Sequence, residues 1–152
     1  MEIKKISMCE TWEAANWSEI LAEYVSEASI EGLPNPTPNI ELYRRYEALG
    51  VLDAFGAFIG DTLIGYITLL EIPGTHYDIA TLFSTESFFV LKAHRHTGAG
   101  LRLLKKVEEV ARSRNAGGLL VSARSHTNLA TVLAHKDYKE TNRVFFKKFA
   151  NE

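Results

Sequence analysis

Val90-Leu91-Lys92-Ala93-His94-Arg95-His96-Thr97-Gly98-Ala99-Gly100 lies where one hydrophobic period gives way to another. Upstream, residues 80–92 read as a long strand. Side chains alternate across a strand, which places Leu82, Glu86, Phe88 and Val90 on one side and Phe83, Thr85, Ser87, Phe89 and Leu91 on the other. Both faces are largely apolar, as expected of a strand in the middle of a layered sheet. Downstream of Gly100 the period becomes helical: Leu101, Leu104, Val107 and Ala111 form a stripe that Leu103 and Val110 widen, with Arg102, Lys105, Glu108, Glu109 and Arg112 outside it. That helix ends over 115–118, and an apolar strand follows over 119–123. Strand, helix and strand make a right-handed crossover between two parallel strands.

Three chemistries compete for the turn itself. A dinucleotide fingerprint needs a third glycine three residues after Gly100, where Leu103 stands, and a Walker A loop needs Lys-Ser/Thr where Leu101-Arg102 stand. What remains is Arg95-x-x-Gly98-x-Gly100. Glycines let the backbone curl so that amides converge, and the helix dipole adds about half a positive charge at that end. This is a cradle suited to a pyrophosphate. The competing reading is a glycine-rich turn with no ligand.

Outward from the turn, residues 2–6 read as a first strand and Thr11 as the N-cap of a helix bearing Trp12, Ala15, Ile20, Leu21, Tyr24 and Val25 near one face. The helix must stop by Gly32-Leu33-Pro34-Asn35-Pro36-Thr37-Pro38-Asn39, because alternating prolines cannot continue it. That segment is either an extended connector or a lid on the substrate side. A second helix is expected over 40–49, ending at Gly50, and then a hairpin of strands 52–59 and 63–71 about Gly60-Asp61. Pro73-Gly74 opens a loop. Thr127 or Asn128 caps a short last helix through Leu133, and residues 144–149 are expected to close the sheet. The fold class is therefore α/β, with a mixed sheet flanked by helices.

The 152 residues suit one domain spanning 1–152, and 46% apolar with 24% charged residues is a globular composition. A net charge of −2 offers no global field for nucleic acid or an anionic membrane. Lys105-Lys106, Arg112 and Arg114 are interrupted by Glu108-Glu109 and read as a solvated helix face. Cys9 is the single cysteine, which excludes an intrachain disulfide. No export signal or membrane span is evident, so a soluble, cytoplasmic protein is expected. His94-x-His96 has ligand-like spacing but no carboxylates to accompany it, and no metal is expected. Ser125-His126 lie outside any Gly-x-Ser-x-Gly elbow, so a nucleophilic triad is not indicated.

The turn resembles that of the GNAT superfamily of acyl-CoA-dependent N-acyltransferases, whose signature is Arg or Gln, two residues, Gly, one residue, Gly or Ala. Arg95, Gly98 and Gly100 match it. Val90 stands five residues before Arg95, as in the family's usual strand ending, and the element order fits over nearly all of the chain. The resemblance implies a sheet splayed between two parallel strands. It implies that the amides of His96, Thr97, Gly98, Ala99, Gly100 and Leu101 hold the pyrophosphate of CoA, and that backbone groups of Phe89, Val90 and Leu91 pair with the pantetheine arm. Arg102 and Lys106 are candidates for the adenosine phosphates, against the reading that they are merely solvated. Asn128 matches an Asn that the family often carries near the pantetheine, against the reading of a plain N-cap.

The implied reaction transfers acetyl from acetyl-CoA to a primary amine, on a small molecule or a protein, directly within a ternary complex. Cys9 is not needed as a nucleophile. An amine of pKa about 10.4 is mostly protonated at pH 7, a deficit of roughly 4–5 kcal/mol, so a proton acceptor helps. Glu86 is the candidate base; the competing reading is a strand carboxylate paired with an Arg or a backbone group. Ser84 or Ser87 is a candidate to hold a water. The family often uses a Tyr as acid to the leaving thiolate, about five residues before an aromatic that follows a Gly. Asp137-Tyr138 falls at the Gly-aromatic place, which puts Leu133 where that Tyr is expected. Either the thiolate leaves without a protein acid, or Tyr138, His135 or His126 substitutes. Tyr43, Tyr46, His76 and Tyr77 fall on the acceptor side. The alternative activity is a non-catalytic acyl-CoA-binding regulatory module, and a homodimer is left open.

Overall fold

The structure is a computed structural model that describes residues 1–73, 81–125 and 127–149. His76, Tyr77 and His126 lie outside the described residues. The elements run β1 (Glu2–Ile6), α1 (Met8–Glu13), α2 (Trp17–Ala28), α3 (Ile40–Ala48), β2 (Leu52–Ile59), β3 (Thr62–Ile72), β4 (Leu82–Val90), a 3-10 turn (Lys92–Thr97), α4 (Ala99–Ser113), β5 (Gly118–Leu120) and α5 (Asn128–Ala134). The sheet order is β1-β2-β3-β4-β5. All pairs are antiparallel except β4 with β5, which are parallel. It is a mixed sheet flanked by helices, as the patterning predicts.

Two apolar clusters cover the two faces. On one face α4 packs Ala99, Leu103, Leu104, Val107 and Ala111 against Phe55, Ile67, Phe83 and Val90. On the other, Met8 and Ile20 meet Leu63, Tyr66, Phe89 and Leu91, with Trp12, Trp17, Tyr24, Tyr43 and Tyr46 packed around them. Leu101, expected on the buried stripe, is 46% exposed, because the stripe that meets the sheet starts at Ala99 and passes through Leu103. Gly65 is where β3 comes closest to β4. A Cβ there would stand 2.7 Å from the Phe89 carbonyl oxygen, so no larger residue fits without a shift.

Three further expectations are corrected. Ser7, not Thr11, caps the first helix, through a capping box in which Ser7 Oγ accepts the Glu10 amide and Glu10 returns to the Ser7 amide. Thr11 is buried inside α1, with its hydroxyl donating to Ser7 O at 3.0 Å. The chain leaves helical geometry at Ala14 (ψ 135°) before α2 begins, and Asn16 donates its side-chain amide to Leu63 O at 2.8 Å, tying the break to the sheet.

The second correction concerns β4. Ile67 pairs with Phe88 but Leu69 pairs with Thr85, so two steps along β3 answer three along β4. The extra residue falls at Glu86 and Ser87, opposite Thr68, and resets the alternation. Phe83 therefore joins Val90 on the α4 face, while Phe89 and Leu91 lie on the other. Glu86 reaches Tyr43 on that other face and does not share the side of Val90.

The third lies at the C-terminal end. Residues 141–149 form no strand, and Val144, Phe145 and Phe149 are largely exposed. β5 pairs with β4 only over Gly118–Leu120. The apolar run at 144–149 has strand-like composition, but composition does not supply a pairing edge.

Candidate active site

Pairing between β4 and β5 ends at Ser84 and Leu120, where β5 itself ends while β4 runs on to Val90. Among the described residues beyond that point, the Ser122 amide reaches across to Thr85 Oγ1 at 3.2 Å. Past Val90 the chain makes its 3-10 turn, with the His94 amide on Leu91 O at 2.9 Å and Thr97 Oγ1 on His94 O at 2.6 Å. Gly98 then takes φ 79°, a left-handed conformation that side chains disfavour, and stands as the N-cap of α4. No side chain caps this helix, and no acidic residue lies in its first turn. Its first closing bond runs from the Arg102 amide to Gly98 O at 3.1 Å, so the amides of Ala99, Gly100 and Leu101 precede it and project from the positive end of the dipole. An uncapped, acid-free helix start behind a left-handed glycine fits a pyrophosphate.

Arg95 is held by the end of β4 and by α2. Its Nε donates to Val90 O at 2.9 Å, and one terminal nitrogen reaches both carboxylate oxygens of Glu27 at 2.9 Å. The guanidinium lies 5.6 Å from the centre of the Phe89 ring. Glu23, one helical turn before Glu27, accepts the Lys92 amide at 2.9 Å, and Lys92 Nζ approaches Glu27 at 3.6 Å. Two carboxylates of α2 thus tether the turn to the rest of the fold. Sequence reasoning missed them, since acids four apart on a helix signal only a shared face.

The remaining cradle candidates are placed as follows. Leu91 gives its amide to Ile64 O at 3.0 Å, and the Val90 carbonyl already takes Arg95. Arg102 donates to Met1 O at 2.8 Å, while Lys106 sits over the Phe55 ring at 5.8 Å. Thr127, not Asn128, caps α5, its hydroxyl accepting the Ala130 amide at 3.4 Å.

Glu86 sits on the bulge among hydroxyls. Its Oε2 takes hydrogen bonds from Tyr43 Oη, Ser87 Oγ at 2.9 Å and Thr68 Oγ1 at 3.4 Å. Thr68 is fixed in turn by accepting the Ser87 amide at 2.8 Å. Tyr43 comes from α3, braced edge-on by Trp12 with ring centres 5.5 Å apart. Burial, then the hydrogen bond to Glu86, push the Tyr43 phenol well above its ordinary pKa, so it is a donor throughout the neutral range. Burial, with Tyr24 nearby, does the same to Tyr66.

Tyr138 is not brought to Glu86. Its hydroxyl donates to Glu108 of α4 at 2.7 Å and its ring packs against the α4-side cluster, across the sheet from Tyr43. Leu133 is buried in that same cluster. His135 Nδ1 lies 2.7 Å from Thr131 O. Among the described residues no group of three His, Cys, Asp or Glu is arranged to hold a metal ion, and no helix is long and apolar enough to cross a membrane.

Residues 14–138 match the acetyltransferase (GNAT) family. The chain belongs to that family. Among solved structures, a transcriptional regulator from Bacillus halodurans C-125 is similar at TM-score 0.76 and 15% identity, over 97% of this chain and 99% of that one. A ribosomal-protein-alanine N-acetyltransferase from Brucella melitensis biovar Abortus 2308 is similar at TM-score 0.71 and 15% identity, over 97% and 98%. The aminoglycoside N-acetyltransferase AAC(6')-Iy, solved in complex with CoA, is similar at TM-score 0.69 and 15% identity, over 99% and 100%. No curated protein matches. At these identities the likeness is one of fold.

Proposed function

We propose that this chain is an acetyl-CoA-dependent N-acetyltransferase that acetylates a primary amine by direct transfer in a ternary complex. The observation that carries the reading is the uncapped, acid-free start of α4 behind Gly98, at the end of the strand that also bears Glu86. Family membership supports acetyl transfer, and the fold neighbour solved with CoA supports the choice of donor.

Acetyl-CoA would supply an activated acyl group. The first-turn amides Ala99, Gly100 and Leu101 would hold its pyrophosphate, and the stretch of β4 beyond the end of β5 would admit the arm beside Phe89 and Val90. Glu86 is the proton acceptor for the amine, directly or through a water. Such a base contributes typically 10²–10⁴-fold, while holding amine and thioester in register supplies on the order of 7–11 kcal/mol, so positioning outweighs the base. No protein acid is assigned to the departing sulfur, since Leu133 carries no proton and Tyr138 is committed to Glu108.

The acceptor is an amine on a small molecule or on a protein, and the neighbours' names offer one of each. A thiol-release assay over small polyamines, aminoglycosides and amine-bearing peptides tests the reading. Turnover on at least one class is expected, with Glu86→Gln lowering kcat by about 10²-fold. The second reading, a binding module for acyl-CoA, is favoured by Leu133 in place of a tyrosine. CoA binding without turnover on any amine would establish it.

A further inference from the structure

We infer that Tyr43 is a positioning residue for Glu86: with Thr68 and Ser87 it pins one carboxylate oxygen, Oε2, and so dedicates the other, Oε1, to the proton of the acceptor amine. The inference rests on Glu86 as the base and adds what aims it. All three hydroxyls lie within reach of Oε2, Thr68 sharing its one proton between Oε2 at 3.4 Å and the Ser87 carbonyl at 3.5 Å, and among the described residues Oε1 takes no protein hydrogen bond. A carboxylate has acceptor sites on both oxygens, so so lopsided a satisfaction leaves one oxygen committed and one available.

The three donors come from three elements, which makes the arrangement a property of the fold. Thr68 lies on β3, is fully buried and is locked by the Ser87 amide. Ser87 faces the same way as Glu86 only because the bulge puts consecutive residues on one side. Tyr43 arrives from α3, a helix whose most covered side chains, Tyr43 among them, are half-buried. Two other side-chain hydrogen bonds tie α3 to neighbouring elements among the described residues, Glu47 accepting the Met8 amide at 2.7 Å and Arg44 donating to Cys9 at 3.4 Å, and both go to α1. Tyr43 is thus its hydrogen-bonded link to the sheet, and the side chain that could most easily move the carboxylate. An exposed glutamate has several rotamers; a buried threonine, a bulge serine and a tyrosine donating together select one.

The test compares Tyr43→Phe, Glu86→Gln and the double variant, on the full chain with an amine found active above. Tyr43→Phe is expected to lower kcat about tenfold to thirtyfold with KM for acetyl-CoA unchanged, since small misplacements of a reacting group cost rate and not donor binding. In the Glu86→Gln background the same change is expected to add nothing, because the carboxylate it aims is gone. An equal loss in both backgrounds, or no loss in the first, overturns the inference. If Glu86→Gln keeps full turnover, it is the base reading that fails. A second measurement is independent of turnover: crystals of the parent should show one Glu86 rotamer and crystals of Tyr43→Phe several. A single rotamer in both overturns the inference. Ser87→Ala removes another donor to Oε2 and should reproduce the kinetic pattern if Tyr43→Phe folds poorly.

Discussion

Arg95 and Glu27, 68 residues apart, are joined by a forked pair in which one guanidinium nitrogen meets both carboxylate oxygens at 2.9 Å. The signature arginine is therefore engaged by α2 and by the end of β4. Its side chain is 40% exposed and that of Glu27 35%, so the pair itself stabilises little after solvent screening. Its consequence is geometric, since the same guanidinium holds the Val90 carbonyl at the strand's end. Glu27→Gln should weaken CoA binding about threefold to tenfold, and Arg95→Ala combined with it should cost no more than Arg95→Ala alone. Calorimetric titration with CoA checks both. Were Arg95 a direct phosphate ligand, Glu27→Gln would free it and binding would tighten.

The two glycines of the turn stand in different conformations, and only Gly98 is demanded by the backbone itself. Gly98 has φ 79° with open space around it, so an alanine there is strained by backbone conformation alone, at about 1–2 kcal/mol. Gly100 has ordinary helical geometry, and a Cβ would meet Phe88 at 3.7 Å and Val90 at 3.9 Å, both normal contacts. Gly100→Ala should thus fold with unchanged or slightly raised Tm, and Gly98→Ala with a lowered one. Together they should abolish measurable CoA binding. Undiminished affinity in the double variant would remove the cradle from this turn.

Elements with strong periodicity and definite ends were legible from the residues alone. The β2–β3 hairpin, α3 with its end near Gly50 and the β4–α4–β5 crossover all follow from local pattern. The bulge at Glu86–Ser87 was not legible, because an extra residue shows only when two strands are laid side by side, and it altered the face to which Glu86 belongs. The hydroxyl cluster was hidden for the same reason. Tyr43, Thr68 and Ser87 sit in three separate segments; Tyr43 and Ser87 were candidates for other roles, and nothing local joins them to Thr68 or to one oxygen of Glu86. The break between α1 and α2 turns on Asn16 reaching Leu63, again a contact made in space.

Tyr138 provides a prediction of retention. Its hydroxyl donates to Glu108 on the α4 face, whereas Glu86 lies with Tyr43 on the other. Tyr138→Phe should leave kcat within about twofold and lower stability by about 1 kcal/mol, the usual net worth of one lost hydrogen bond. Steady-state kinetics and denaturant unfolding read the two quantities. A fall in kcat of tenfold or more would restore the tyrosine to the proton path.

Asp53 is buried at the start of β2 and is held by Lys5 of β1 at 2.5 Å and by Arg114 just past α4. It ties β1, β2 and the end of α4 together, remote in sequence from the Gly98 turn. Lys5 is 66% exposed, so most of the compensation for this buried charge comes from Arg114. Asp53→Ala leaves that guanidinium without its partner and should cost about 2–3 kcal/mol, a Tm lower by roughly 4–12 °C. Turnover measured well below the transition should be unchanged. A Tm shift under about 2 °C would mean that the cluster is solvated in water and contributes little.

Three phenols should refuse to titrate where free tyrosine does. Burial is the main cause for Tyr43, Tyr66 and Tyr138, reinforced by donation to Glu86 in the first and to Glu108 in the last. All three have folded-state values raised above the ordinary value of about 10, so above that pH the folded chain binds more protons than the unfolded chain. Their contribution to stability is fully present below pH about 10 and is lost as pH rises toward the folded values. Phenolate absorbance followed against pH should show an early phase, then a late phase coincident with loss of the far-ultraviolet signal, as unfolding releases the buried group. Tyr43→Phe should remove one phenol from the late phase and leave the early one intact. If every phenol ionises near pH 10 while the fold persists, Tyr43 is open to solvent, and its hold on Glu86 is too weak to fix a carboxylate.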